Sequence, residues 1–111
     1  MRNFSDKALA VQPSCYRYEL SANLTGREAI VTKERLVELV TSGRHHLMLD
    51  ATRTSSVDIA GINVLVQVYK EIRACNGSIV ISLYRDSPLA AMLHLTKFDK
   101  WFNLTFIQLN E

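Results

Sequence analysis

The sequence predicts an α/β protein in which a mixed, mainly parallel sheet of about five strands is packed against helices. The hydrophobic patterns along the chain follow the order strand, strand, helix, strand, helix, strand, helix, strand. Residues 47–51 and 78–83 are nearly continuous apolar runs, which are typical of strands covered on both faces. The length of 111 residues predicts a single domain, residues 1–111, that can build a core without metals or disulfides.

The first two elements are predicted to be strands that form a hairpin. An apolar stretch at residues 8–11 ends at Pro13 and Ser14, which are turn-forming residues. Residues 15–20 then alternate aromatic and polar side chains, the period-two pattern of a strand with one face in water.

The first helix is predicted to follow Leu24. Thr25 and Glu28 have the spacing of a capping box, Thr32 is an alternative cap, and Gly43 is the residue at which such a helix ends. The apolar stripe of this helix is expected to consist of Ala29, Ile30, Leu36, Val37 and Val40.

The second half of the chain alternates helices and strands. One helix is predicted to run from Asp58 to Cys75 with a wide apolar face, and the next begins at Ser87-Pro88, where a cap residue precedes a proline. A last strand is predicted at residues 104–109. It is expected to be anchored by an aromatic cluster of Phe98, Trp101 and Phe102.

The composition excludes several classes of function. Thirteen Lys and Arg against eleven Asp and Glu give a net charge of +2, which is too small and too evenly spread for binding nucleic acid or an anionic membrane. No apolar run approaches the roughly 20 residues of a membrane span, and the polar start does not resemble a signal peptide. We therefore expect a cytoplasmic protein without direct membrane insertion, in which Cys15 and Cys75 are reduced, buried structural thiols.

Residues that could act in catalysis or bind a cofactor do not form a recognisable group. His45, His46 and His94 lack the spacing of a metal site, and neither common glycine-rich phosphate loop is present. The sequence therefore predicts no catalytic residue, no metal and no cofactor, and a protein that is not an enzyme.

The segment at residues 49–61 is unusual because a loop rich in Thr and Ser connects a buried strand to a buried helix. Asp58 falls where the helix starts, and there its carboxylate can accept hydrogen bonds from first-turn N–H groups, a contribution of about 1 kcal/mol. Gly61 in the first turn indicates that the backbone comes close to something else, either another element of the chain or a partner.

Several short motifs between residues 47 and 104 occur in a definite order. They are Leu49-Asp50, Asp58-Ile59-Ala60-Gly61, Tyr69-Lys70, Asn76-Gly77 and Ser87-Pro88-Leu89. Residues 95–102 follow as a leucine, a short polar turn and an aromatic ending. This ordered set resembles the STAS domain, the family of bacterial anti-sigma factor antagonists, and implies a STAS-like fold and a binding module involved in transcription regulation.

The resemblance implies a protein partner, either an anti-sigma factor or a histidine-kinase-like switch protein. It implies binding through the loop and the start of the central helix, at Ser55, Ser56, Asp58, Ile59, Ala60 and Gly61. In the family, the partner phosphorylates a serine directly after the aspartate, but here that position is Ile59, which has no hydroxyl. Ser56 is the remaining phosphorylation candidate, although it does not match the acceptor position.

Two other functions stay open. Some STAS proteins are cytoplasmic accessory subunits of membrane transporters of the ABC type, and this chain could be one of them. A small-anion or nucleotide site at the start of the central helix is the second possibility, and Asp58 argues against it because a carboxylate there competes with an anion.

Overall fold

The computed structural model describes residues 15–108. The strands in this range are β1 (Tyr16–Glu19), β2 (Asn23–Leu24), β3 (His46–Asp50), β4 (Ser56–Val57), β5 (Ser78–Tyr84) and β6 (Asn103–Ile107). The helices are α1 (Gly26–Thr41), α2 (Ile59–Ala74) and α3 (Pro88–Thr96), followed by a 3₁₀ turn at Phe98–Lys100.

The strands form one main sheet and one very small sheet. The main sheet has four strands in the order β1-β3-β5-β6, and all of its pairings are parallel. β2 and β4 form a separate parallel pair of two residues each. The predicted α/β class with a mainly parallel sheet is confirmed. The predicted strand at residues 8–11 and its hairpin lie outside the described residues.

The core lies on one face of the main sheet. Along β5, the side chains of Ile79, Ile81 and Leu83 are buried, whereas Val80 and Ser82 between them are half-buried. Met48 on β3 is also only half-buried, so the expectation that both faces are covered is wrong for this face in the described part of the chain. The largest fully buried side chains are Leu20, Leu24, Leu36, Leu47, Leu49, Ile62, Leu65, Ile72, Ile81, Leu83, Leu89 and Leu93.

α1 begins after Thr25, but the predicted capping box is wrong. The Thr25 side chain makes no capping hydrogen bond, and the alternative cap, Thr32, is buried inside the helix. The free N–H of Gly26 instead donates to Oδ2 of Asp58, 3.2 Å away, at the start of α2. A side chain remote in sequence therefore satisfies the first turn of α1.

The buried stripe of α1 also differs from the prediction. It consists of Ala29, Thr32, Leu36 and Val40. Ile30 is 56% exposed and Val37 is half-buried, because they follow the buried residues Ala29 and Leu36 and therefore lie about 100° further round the helix. Gly43 follows the helix with a φ of +105°, as expected for a residue at which a helix stops.

The other helix boundaries follow the predicted signals. Asp58 is the N-cap of α2, and Ser87 caps α3 by accepting a hydrogen bond from the N–H of Ala90 at 3.1 Å. Both cysteines are exposed, so the prediction of buried thiols is wrong: Cys75 lies just beyond the end of α2, and Cys15 lies just before β1. Between residues 15 and 108, no helix is both long and apolar enough to cross a membrane.

Candidate functional site

The loop between β3 and β4 is fixed at its first residue by a buried carboxylate. Oδ1 of Asp50 accepts hydrogen bonds from the Thr52 N–H at 3.0 Å and from the Thr52 hydroxyl at 2.6 Å. Oδ2 accepts a hydrogen bond from the guanidinium of Arg17 on β1. Asp50, the last residue of β3, therefore connects Arg17 of the neighbouring strand β1 to the start of the loop.

These contacts change the acidity of Asp50. The hydrogen bonds from the Thr52 hydroxyl and N–H lower the pKa of the carboxyl from its ordinary value of 3.8, and the charge of Arg17 acts in the same direction. Burial opposes this effect by disfavouring the charged form, but the hydrogen bonds outweigh it. The carboxylate is thus more stable in the folded chain than in the unfolded chain.

We expect this carboxylate to make stability depend on acid pH. Because its pKa is lower in the folded state, its contribution is complete above the unfolded pKa, near pH 4, and is lost as the pH falls through the folded pKa. Denaturant titrations at a series of pH values should show that the wild type is more stable than Asp50→Asn near neutral pH, and that the difference shrinks in acid. A difference that does not change with pH would contradict the assignment.

The rest of the loop is held against the segment between β1 and β2. Thr54 is buried, and its hydroxyl donates to the carbonyl oxygen of Ser21 at 2.9 Å. The N–H of Ser55 donates to the carbonyl oxygen of Ala22 at 2.8 Å. The hydroxyl of Ser56 donates to Oδ1 of Asn23 at 2.5 Å. Two residues of the loop and the first residue of β4 are therefore tied to consecutive residues, 21–23, of the neighbouring segment, which gives the loop a defined conformation.

Asp58 connects the starts of two helices. Its Oδ1 accepts a hydrogen bond from the N–H of Gly61 at 3.0 Å, and its Oδ2 accepts one from the N–H of Gly26 at 3.2 Å. Both oxygens of one side chain are therefore used by free N–H groups in the first turns of α2 and α1. Because these helix starts share one carboxylate, they lie side by side at the same end of the helix pair.

Ile59 is the first residue of α2 and projects into solvent, with 60% of its surface exposed. Ile30, which is 56% exposed, lies in the second turn of α1, the helix that begins beside Asp58. Large apolar side chains exposed at one end of a rigid element are a common feature of protein-binding surfaces.

Gly61 is required by packing within the chain. A Cβ atom at this position would lie 2.1 Å from the carbonyl oxygen of Leu24 and 3.0 Å from Cγ2 of Val57. Of the two explanations for this glycine, close approach to another element of the chain is therefore confirmed. Gly61 is buried and allows the first turn of α2 to lie against β2 and β4.

The predicted site residues thus differ in exposure. Ser55 and Ile59 are exposed, whereas Ser56, Asp58 and Ala60 are half-buried. We call these five residues the α2 N-terminal surface. Within residues 15–108, no three His, Cys, Asp or Glu side chains come together in a way that could bind a metal ion.

Two contributors to this site were missed at the sequence level. Thr54 and Arg17 hold the loop, yet neither has a local signal, because their partners Ser21 and Asp50 are 33 residues away in each case. A Thr in a polar loop and an Arg on the wet face of a strand are ordinary surface residues by pattern alone.

Comparison with known proteins identifies the family. The chain shares its fold with a Thermotoga maritima protein assigned as an anti-sigma factor antagonist, with a TM-score of 0.68, 17% identity, and coverage of 82% of this chain and 74% of that one. The chain also shares its fold with the anti-sigma factor antagonist SpoIIAA in its unphosphorylated form. The TM-score is 0.68, the identity is 15%, and the match covers 88% of this chain and 84% of SpoIIAA. No curated protein matches the chain significantly. Residues 6–111 match the sequence profile of the STAS domain, so the chain belongs to the STAS domain family.

Proposed function

We propose that this chain, as one STAS domain over residues 1–111, is a non-enzymatic regulatory protein that binds a protein partner through the α2 N-terminal surface. The proposed partner is an anti-sigma factor or a histidine-kinase-like switch protein. Membership of the STAS family supports this proposal, as do structural neighbours that are anti-sigma factor antagonists. The observation that carries it is the exposure of Ile59, 60% of whose surface is free at the first residue of α2.

The surroundings of Ile59 favour binding because they are already ordered. Asp58, the residue before Ile59, is held by hydrogen bonds from the N–H groups of Gly61 and Gly26, and Ser55 is tied to Ala22. A surface that is fixed before contact loses little conformational entropy when a partner binds. Because 60% of its surface is exposed, burial of Ile59 by a partner can contribute roughly 1 to 2 kcal/mol, a little over half of the value for a whole isoleucine side chain.

The chemistry of the acceptor position favours a contact that phosphate does not control. Ile59 has no hydroxyl, so no phosphate can be placed at the first residue of α2. The Ser56 hydroxyl is the nearest alternative, and it already donates to Asn23. A phosphate on Ser56 would replace that bond and place up to two negative charges two residues before Asp58. We propose that control of this interaction lies on the side of the partner.

We expect Ile59→Asp to weaken partner binding at least about tenfold, because an aspartate cannot fill an apolar pocket without losing its hydration. The tagged full chain is crosslinked to its partner in its native cells, and the partner is identified and purified. Its affinity for wild type and variant is then measured by calorimetry. Mass spectrometry of the captured chain reports at the same time whether Ser56 is phosphorylated.

The matched control is Ile107→Asp, which makes the same change at a partly exposed residue at the end of β6. Equal affinity of Ile59→Asp and wild type, with both folded, would contradict the proposed surface. Capture of the ATPase subunit of an ABC-type transporter would favour the alternative function, that of a transporter accessory subunit. Capture of a protein with a histidine-kinase-like ATP-binding domain would support the main proposal.

A further inference from the structure

An aromatic cluster at the end of α3 leaves a tryptophan partly in solvent. The Trp101 ring lies 5.5 Å from the Tyr69 ring and 5.0 Å from the Phe98 ring, measured between centroids. Phe102 is buried beneath them, with its ring 5.2 Å from that of Tyr69. These contacts confirm the predicted aromatic cluster, which lies directly before β6. They also fix Trp101 in place while 44% of its surface stays exposed.

Leu95 adds a second apolar group beside the same turn. It lies near the end of α3 and is 77% exposed, which makes it the most exposed large hydrophobic side chain of the described residues. Neither the core nor the α2 N-terminal surface uses it. Leu95 and Trp101 are six residues apart in the chain. A rigid tryptophan is the kind of side chain that supplies binding energy in protein interfaces, and an exposed leucine adds apolar area that a partner can bury.

The charges around these two side chains are mainly positive. Lys97 and Lys100 are exposed in the same turn, and the guanidinium of Arg73 lies 5.8 Å from the centre of the Tyr69 ring that contacts Trp101. Between residues 94 and 101 the only carboxylate is Asp99, and its Oδ2 is 3.2 Å from Nδ1 of His94. We call Arg73, Leu95, Lys97, Lys100 and Trp101 the Trp101 surface.

Lys97 has a backbone conformation that disfavours a lysine. Its φ is +65°, in the left-handed region, at the C-cap of α3. Glycine is preferred at this position because a side chain there crowds the following carbonyl group. The chain thus carries a long cationic side chain where folding alone would favour glycine, and a local cost of this kind is typical of residues that serve binding.

We propose that the Trp101 surface binds an acidic amphipathic segment of a partner protein. An apolar side chain of that segment packs against Leu95 and Trp101, and its carboxylates pair with Lys97, Lys100 and Arg73.

The Trp101 surface is separate from the α2 N-terminal surface, since Tyr69 lies ten residues after Ile59, about 15 Å further along α2. A protein segment fits better than a lipid surface, because one leucine, one partly exposed tryptophan and three cations fall short of the apolar area and the polybasic charge that stable membrane binding requires.

The probe is a displayed library of random peptides selected on the full chain. We expect the selected peptides to be rich in Asp and Glu and to contain Leu, Ile or Phe at helical spacing. Trp101 is the only tryptophan of the chain, so its fluorescence measures the affinity of each peptide directly. The variant L95S/K97E/K100E should bind these peptides at least about tenfold more weakly, and higher salt should weaken binding to the wild type.

The variants separate binding from folding. Lys97→Gly should raise the thermal midpoint, because glycine suits the left-handed conformation, and should weaken peptide binding nonetheless. Arg35→Glu, at an exposed position on α1, is the charge-reversal control and should change neither property markedly. Selection of neutral or basic peptides, unchanged affinity in L95S/K97E/K100E, or tighter binding to phosphatidylglycerol vesicles than to any selected peptide would each overturn the proposal.

Discussion

Gly61→Ala is expected to destabilise the protein by about 3 kcal/mol or more. The added Cβ would lie 2.1 Å from the carbonyl oxygen of Leu24, and a backbone atom cannot move aside as the end of a flexible side chain can. Leu24 belongs to β2, which pairs with β4 directly before α2. Relief of the clash therefore requires α2 to move away from β2, which would disturb the pairing that holds the loop.

Urea titration followed by circular dichroism measures this loss. Asn63→Ala is the matched control, because Asn63 is exposed on the same helix and alanine has the higher helix propensity. The control should change the free energy of unfolding by no more than about 0.5 kcal/mol, in the stabilising direction. A loss below about 1 kcal/mol for Gly61→Ala would show that the approach of β2 to α2 is looser than the structure indicates.

Asp58→Ala is expected to destabilise the protein by about 2 kcal/mol, which is the upper end for a helix cap. The effect should be large because the change leaves two N–H groups, those of Gly61 and Gly26, without their acceptor. Asp58→Asn keeps one side-chain oxygen as an acceptor and should cost clearly less. Denaturant titration of the wild type, Asp58→Asn and Asp58→Ala measures their free energies of unfolding, which should decrease in that order.

Amide hydrogen exchange provides a more specific measurement of the same prediction. Asp58→Ala should speed exchange at the starts of both α1 and α2, although the two helices begin 33 residues apart in sequence. Ser87→Ala, which removes only the cap of α3, should speed exchange at α3 alone. Faster exchange confined to α2 in Asp58→Ala would mean that the hydrogen bond to Gly26 contributes little.

An element of the fold is predictable when the residues that determine it lie within or directly beside it in the sequence. α2 and α3 have their caps, Asp58 and Ser87, directly before the first turn, and both starts were predicted. The start of α1 was predicted at the right residue for the wrong reason, because its acceptor comes from another element. β2 and β4 were not predicted, since strands of two residues have no periodicity.

The sequence predicts the central residues of the candidate site, but not the contacts that position them. Asp58 and Gly61 were identified from local rules for helix starts and for glycine. The sequence could not show that Gly61 faces Leu24, since that contact depends on the position of β2. The exposure of Ile59 also required the structure, because an isoleucine in an apolar helix is more often buried.

The carboxylate that two helices share has a mechanical consequence for any partner that presses on the first residue of α2. Displacement of Ile59 moves Asp58, and Asp58 is bound to the backbone of both α2 and α1. The two helices therefore shift as one body at that end, or the hydrogen bond to Gly26 breaks. The effect of a contact at the single side chain of Ile59 in this way reaches a helix that the partner need not touch.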